Sequence, residues 1–284
     1  MKQANNSSGF LMKPKIDFAF KEIMANEKAR IGFLSAILKI APNDIKETRI
    51  LNTNLRKVHE DDKLGILDVR ILMNDDTEID TEIQLAELKI WADRALFYIS
   101  KMYTEQIEAG DYYDVLKKCV SISILDFKLF QDEKEYYSCF HIREDTRNTI
   151  FTDKMEFHVI ELPKLPVELK EGSYDDILLW AKFINADQKE DFEMLAAKNP
   201  YIESAYQQLQ IISQDKDKRL EYEARQKAIL DHNQFVYEAE QRGREQGEYD
   251  KSIQIAKNMI QKGLDINMIV EMTGLSISEI EALQ

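Results

Sequence analysis

Two cysteines, five prolines and nine glycines are few for a chain of 284 residues, and each shortage excludes a class of protein. One cysteine pair cannot build a disulfide-rich secreted fold, so we expect a cytoplasmic protein. Few glycines and prolines, with 44% hydrophobic residues, exclude a disordered or collagen-like chain. No run approaches the roughly eighteen apolar residues of a membrane span, and the polar N-terminal stretch is not expected to act as a signal peptide.

Positive charge is also scarce. The chain has 38 lysines and arginines against 52 aspartates and glutamates, a formal net charge of -14. Such a balance opposes non-specific attraction to a phosphate backbone. Any site for nucleic acid must therefore concentrate its basic residues locally.

The hydrophobic pattern divides the chain into four predicted regions. Residues 1–12 are polar and predict a flexible leader, within which Met12 is an alternative start to Met1. Residues 13–170 predict a core of helices, three strands, a helix and three more strands. Residues 171–249 predict a helical extension, and residues 250–284 a small helical tail for oligomerisation or partner docking. The expected fold class is α/β, a mixed sheet flanked by helices, with a helical C-terminal extension.

Acidic residues on two of the predicted strands are the candidate chemistry. Asp68 lies among apolar residues, where a buried charge needs a partner or a metal. Glu82 and Gln84 share one face of the next strand because side chains alternate. Asp68 joins them only if the hairpin loop has an odd number of residues or a bulge, since a two-residue loop would set Asp68 opposite Ile83.

With that register, Asp68 and Glu82 could hold a hard cation such as Mg²⁺, with the Ile83 carbonyl as a further ligand and Gln84 orienting water. Mn²⁺ is an alternative ion, and no organic cofactor is expected. A structural alternative accounts for the same pattern. Glu82 and its neighbours would then form the wet face of an edge strand, and Asp68 would pair with Arg70 or Arg94.

Asp68 followed by Glu82-Ile83-Gln84 resembles the D…(E/D)-x-K motif of the PD-(D/E)XK nuclease superfamily. Within it the chain is similar to the Rpn family, recombination-promoting nucleases that are also described as transposases. The likeness extends to residues 17–21 (DFAFK), to Arg94 and Tyr98, to residues 110–112 (GDY) and to residues 273–276 (TGLS). It therefore covers nearly the whole chain.

This resemblance implies a restriction-endonuclease-like fold and Mg²⁺-dependent hydrolysis of DNA, linked to recombination or mobile-element biology. Gln84 stands where the superfamily usually carries lysine, and a neutral amide supplies no positive charge to the transition state. We expect slower turnover, since the Rpn family tends to carry glutamine. A catalytically weak or inactive scaffold, acting through DNA association or protein assembly, is the alternative function.

Other residues have weaker assignments. Asp17 and Lys21 are expected to assist catalysis, although an ordinary surface ion pair one turn apart is the alternative. Arg94 and Tyr98 are expected to contact substrate phosphate, although Arg94 could simply neutralise the acidic strand. The four histidines have no spacing typical of a zinc site, and Cys119 and Cys139 are predicted to be hydrophobic residues of the sheet core.

The tail invites a helix-turn-helix interpretation in which residues 276–283 form the reading helix. Ser276 with Glu279 predicts a capping box at the start of this helix. That helix carries Glu279 and Glu281 but no lysine or arginine, and acidic side chains repel DNA phosphates. Sequence analysis therefore favours a homo-oligomer assembled through the C-terminal helices.

Overall fold

The computed structural model describes residues 9–54, 67–86, 90–169 and 175–283. Its strands are β1 (Thr48–Leu51), β2 (Val69–Met73), β3 (Glu78–Gln84), β4 (Cys119–Leu125), β5 (Tyr137–Arg143) and β6 (Ile150–Glu161). Its α-helices are α1 (Asp17–Met24), α2 (Glu27–Leu38), α3 (Trp91–Thr104), α4 (Asp176–Asn185), α5 (Lys189–Ala196), α6 (Pro200–Gln214), α7 (Lys216–Gln261), α8 (Ile266–Thr273) and α9 (Ile277–Glu281).

The strands form one mixed sheet in the order β1-β2-β3-β4-β6-β5. The central strands β3, β4 and β6 are parallel, and the other pairings are antiparallel. Parallel neighbours need a crossover connection, which α3 supplies between β3 and β4. The predicted order of helices, three strands, helix and three strands is confirmed.

The loop between β2 and β3 consists of residues 74–76. The N–H of Met73 donates to the carbonyl of Thr77 at 2.9 Å, which closes the hairpin around three residues. Asp76 has a φ of 63°, the left-handed conformation that a three-residue hairpin loop uses. The Asp75 carboxylate accepts the Thr77 N–H at 3.1 Å and stabilises the turn. The loop therefore has the odd length that the proposed site requires.

The strand pairing beyond this loop sets the register. Val69 lies opposite Thr81 and Arg70 opposite Asp80. One further step along the same register brings Asp68 opposite Glu82, on the same face of the sheet.

Both faces of the central strands are buried. On one face α3 packs Trp91, Ala95, Tyr98, Ile99 and Met102 against Cys119, Leu125 and Val159. The other face of the central strands is lined by Ile79, Ile83, Val120, Ile122 and Ile124, all buried. Burial on both sides is typical of parallel strands covered by helices. Since β3 is an inner strand, the wet edge-strand alternative is wrong.

The helices α1, α2, α4, α5 and α6 pack on one another within the same compact unit as the sheet. Arg30 of α2 is buried, and its guanidinium donates to Thr48 Oγ1 at 2.8 Å and to the Met24 carbonyl at 2.7 Å. These bonds tie α2 to β1 and to the end of α1, and they satisfy a charge that would otherwise be costly to bury.

The chain divides into two compact units, residues 1–225 and 226–284. The first unit extends beyond the expected boundary at residue 170 because α6 packs against α1 and α2. It also begins before residue 13, since Met12 is fully buried and its N–H donates to Ser213 Oγ at 3.0 Å. The leader residues 1–8 lie outside the described residues.

The second unit contains most of α7 together with α8 and α9. Its core consists of Ala256, Met259, Ile269, Leu275 and Ile280. No helix in the described ranges combines the length and apolar character needed to cross a membrane.

Gly32 lies where α2 approaches α6 closely, so an alanine at this position tests the packing of the two helices. A Cβ at this position would lie 2.1 Å from Cβ of Tyr201, so Gly32→Ala must push the helices apart. We expect a loss of about 3 kcal/mol or more in the free energy of unfolding, measured by chemical denaturation. Gly243→Ala, in an open stretch of α7, is the matched control and should be neutral or stabilising by about 0.5–1 kcal/mol. Equal effects of the two substitutions would contradict this packing.

Candidate metal centre

Asp68 lies directly before β2, against the backbone of β3. Its Oδ2 accepts the N–H of Ile83 at 3.1 Å. The N–H and C=O of one strand residue point to the same side, so the Ile83 carbonyl also faces the β2 side of β3. Burial raises the pKa of the Asp68 carboxyl, and the nearby Asp17 carboxylate raises it further. The Ile83 N–H and the charge of Arg94 act in the opposite direction.

Glu82 is 7% exposed and pairs with an arginine of α3. Its Oε1 lies 3.4 Å from Nη2 of Arg94. Burial raises the pKa of Glu82 to about 7, with Arg94 opposing the rise and Asp68 adding to it. Glu82 therefore gains and loses its proton near neutral pH.

Asp80 is a third carboxylate on this face, which sequence reasoning did not select although strand alternation places it beside Glu82. It is 2% exposed, and its Oδ1 has no hydrogen-bond partner among the described residues. Arg70, directly opposite, instead donates to Glu78 at 2.6 Å. Burial, then the charges of Glu82 and Asp68, raise the pKa of Asp80 well above its usual range. The Asp68–Arg70 pairing considered above does not form.

Asp17 approaches the group from α1. Its Oδ2 accepts from Nε of Arg225 at 2.7 Å, and its buried Oδ1 has no hydrogen bond within the described part of the chain. The neighbouring Lys21 is exposed, and among the described residues it makes no ion pair with Asp17. The structure thus brings Asp17 to the centre and leaves Lys21 at the surface. Arg225 was not predicted as a site residue, because nothing in the sequence distinguishes it from the other charged residues of α7.

Arg94 and Tyr98 lie one turn apart on α3, above Glu82. The guanidinium carbon of Arg94 lies 5.1 Å from the centre of the Tyr98 ring. Burial raises the pKa of the Tyr98 hydroxyl, and the charges of Glu82, Asp80 and Asp68 raise it further. Both side chains therefore share the electrostatic environment of the carboxylates.

Gln84, at the end of β3, is partly buried. Its Nε2 donates to the carbonyl of Ala86 at 3.1 Å. The amide is thus oriented by the backbone that follows the strand.

The donor set suits a hard divalent cation. The charges of Asp68 and Glu82 raise the pKa of Asp80, the charge of Asp68 raises the pKa of Glu82, and the charge of Asp17 raises the pKa of Asp68. Two of these groups have buried oxygens without hydrogen bonds among the described residues, on Asp17 and Asp80. Clustered, buried carboxylates are costly unless a cation or a proton neutralises them. Oxygen ligands alone are what Mg²⁺ and Mn²⁺ prefer.

Comparison with known families gives two matches. The family described as "PD-(D/E)XK nuclease family transposase" matches residues 14–239. The chain belongs to this family. The "Rpn/YhgA-like nuclease family, C-terminal HTH domain" matches residues 250–284, so the resemblance to the Rpn family is confirmed. Neither the curated proteins nor the solved structures give a significant match.

Membership in the PD-(D/E)XK family accounts for the mixed sheet and its helices as a restriction-endonuclease-like fold. It suggests nuclease or transposase activity, and nucleases of this family generally use divalent metal ions. The helix-turn-helix at the C-terminus suggests DNA binding.

The helix-turn-helix match corrects the interpretation of the tail as an assembly segment only. Apolar packing holds this domain together, since Ile269, Leu275 and Ile280 are buried in its core. The capping box predicted at Ser276 and Glu279 is present at the start of α9. The charge-based prediction was wrong about the fold, since surface charge does not decide how the helices pack.

The raised pKa of Glu82 can be tested through protein stability in the absence of metal. In the folded chain Glu82 titrates near 7 instead of 4.5. Between these values the folded state binds more protons than the unfolded state, so wild-type stability falls as pH rises. With a chelator present, Glu82→Gln should raise the Tm relative to wild type at about pH 8.5 and lose this advantage near pH 5.

Glu193→Gln is the control for this titration, because Glu193 is exposed in a surface pair with Lys189. It should show no gain in Tm that grows with pH. A Glu82→Gln variant whose Tm difference is the same at both pH values would contradict the buried, easily protonated carboxyl.

Proposed function

We propose that the protein is a metal-dependent DNA endonuclease that hydrolyses phosphodiester bonds in recombination or mobile-element biology. The observation that carries the proposal is the register of β2 and β3, which sets Asp68 and Glu82 side by side in a buried acidic cluster. The cluster lies within the PD-(D/E)XK match, where such carboxylates have a clear chemical use.

In this proposal Asp68, Glu82 and the Ile83 carbonyl hold Mg²⁺, with Mn²⁺ as an alternative. A bound ion lowers the pKa of its water and stabilises negative charge on the scissile phosphate. Gln84 orients the attacking water through its amide, whose Nε2 is anchored on Ala86. Asp17 contributes a further carboxylate at the same place.

Positive side chains at the rim would hold the DNA backbone. Arg94 is about one-third exposed and can turn from Glu82 toward a phosphate, with Tyr98 supporting its guanidinium. Lys21, exposed on α1, is a further proposed phosphate contact. With a net charge of -14 the protein needs such local contacts.

The C-terminal helix-turn-helix is a second proposed DNA contact. Its α9 carries no basic residue, so we propose that the domain positions the protein on DNA more than it increases the affinity for DNA. A homo-oligomer through the C-terminal helices remains a proposal that the molecular mass in solution tests.

An inactive nuclease-fold scaffold is the second candidate function. Gln84 favours it, because an amide that donates to Ala86 provides no ammonium for the transition state. A scaffold would still associate with DNA but would leave it intact.

Nicking of supercoiled plasmid separates the two candidates. With Mg²⁺ or Mn²⁺ the wild type should nick plasmid DNA, and Asp68→Asn and Glu82→Gln should lower the rate by at least about 100-fold, since each removes a charged ligand. Asp75→Asn in the adjoining loop is the matched control, because asparagine can still accept the Thr77 N–H. A wild type inert with both ions on every plasmid would establish the scaffold.

Arg94 allows a test through pH dependence. Arg94 lowers the pKa of Glu82, so Arg94→Gln should move the acid limb of kcat/KM to higher pH. Loss of the phosphate contact should also reduce the maximal rate by roughly 10-fold or more. The measurement is a pH–rate profile of nicking by wild type and variant. An unmoved acid limb would rule out Glu82 as the titrating group.

A further inference from the structure

A second cluster of metal-ligand side chains lies on the β5–β6 ladder. Cys139 and His141 alternate along β5, and Glu156 and His158 alternate along β6. The pairing sets Cys139 opposite His158 and His141 opposite Glu156, so all four side chains project from one face.

This face is not that of the acidic centre. Glu82 pairs with Ser123 on β4, and Ser123 pairs with Val159 on β6, which packs against α3. His158 is the next residue along β6, so its side chain points to the opposite face. The two clusters are therefore separate.

The donor atoms are close enough to share an ion. Nε2 of His158 lies 2.9 Å from Oε1 of Glu156, and Sγ of Cys139 lies 3.6 Å from the same oxygen. One donor atom from each of the three residues lies within 4.8 Å of the others. Zinc bonds of about 2.0–2.3 Å in a tetrahedron separate neighbouring donors by roughly 3.3–3.8 Å. Only small movements would bring these atoms into one shell.

His158 is held as a ligand would be. It is 2% exposed, and its Nδ1 is hydrogen-bonded to the Tyr137 hydroxyl at 2.8 Å. Its Nε2 lies 2.9 Å from Oε1 of Glu156 and so is directed into the cluster. Ligating histidines commonly have one nitrogen fixed by a hydrogen bond and the other directed at the ion.

The two oxygens of Glu156 have different surroundings. Oε2 forms an ion pair with Lys118 and lies 3.5 Å from Nε2 of His141. Oε1 faces Cys139 and His158. Lys118 thus orients the carboxylate through Oε2, and Oε1 is left to face the other donor atoms of the cluster. The hydrogen bond with His158, followed by that with Lys118, holds the pKa of Glu156 well below its usual range.

We propose that Cys139, Glu156 and His158, with His141 as the fourth ligand, form a site for a zinc-class cation. A thiolate and imidazoles select Zn²⁺ over Mg²⁺, in contrast to the oxygen-only acidic centre. Cys139 is exposed, so an ion can enter from solvent, and His141 Nδ1 lies 3.9 Å from its sulfur. The ion would cross-link the edge strand β5 to β6.

Zinc content and cobalt spectroscopy of the full chain test this site. The parent carries Asp68→Asn, which disables the acidic centre, and is treated with chelator, dialysed against micromolar zinc and analysed for bound metal. We expect about one tightly bound zinc per chain, a thiolate-to-metal absorption band when Co²⁺ replaces zinc, and a higher Tm with zinc. Cys139→Ser should weaken zinc binding more than about 100-fold and remove the band.

Cys119→Ser is the matched control, because Cys119 is buried under α3 on the other face. It should keep the zinc and the cobalt band. His158→Asn should lose both the zinc and the cobalt band. If this buried variant does not fold, the exposed Cys139→Ser variant still tests the site. A parent without bound zinc, or equal zinc in the two cysteine variants, would overturn the proposal.

Discussion

The register of the β2–β3 hairpin is the constraint on which the acidic centre depends. A side-chain period of two means that one residue more or less in the loop moves Asp68 to the other face of the sheet. The loop has three residues and not two because Asp76 adopts a left-handed conformation, which aspartate tolerates better than most side chains. One backbone conformation at a surface turn thus decides whether Asp68 and Glu82 meet.

The centre opposes the stability of the fold that contains it. Asp80 and Glu82 are buried with raised pKa values, and Arg94 compensates only one of them directly. A chain selected for stability alone would place apolar residues at these inner-strand positions. The carboxylates are consistent with a site that a cation completes, and the central strands, buried on both faces, keep them in place.

Local sequence signals predicted much of this structure. Alternation placed Glu82 and Gln84 on one face, and the Ser276–Glu279 pattern predicted a capping box that is present. Arg225 could not be predicted, because it reaches Asp17 across 208 residues and local periodicity carries no information on such contacts. Cys139 was expected in the core, yet it lies exposed on an edge strand. Its partners on β6 become neighbours only through strand pairing.

The two proposed cation sites, on opposite faces of one sheet, would select different metal ions because their donor atoms differ. A carboxylate centre alone also attracts zinc, because zinc binds most ligands more tightly than magnesium does. The sulfur and imidazole donors of β5 and β6 prefer zinc far more strongly, whereas the centre of Asp68 and Glu82 offers only oxygen. Since the two clusters have no residue in common, one can hold a structural ion while the other exchanges a catalytic one. The same sheet could therefore be stiffened at its β5 edge without loss of the exchangeable metal of the proposed phosphodiester hydrolysis.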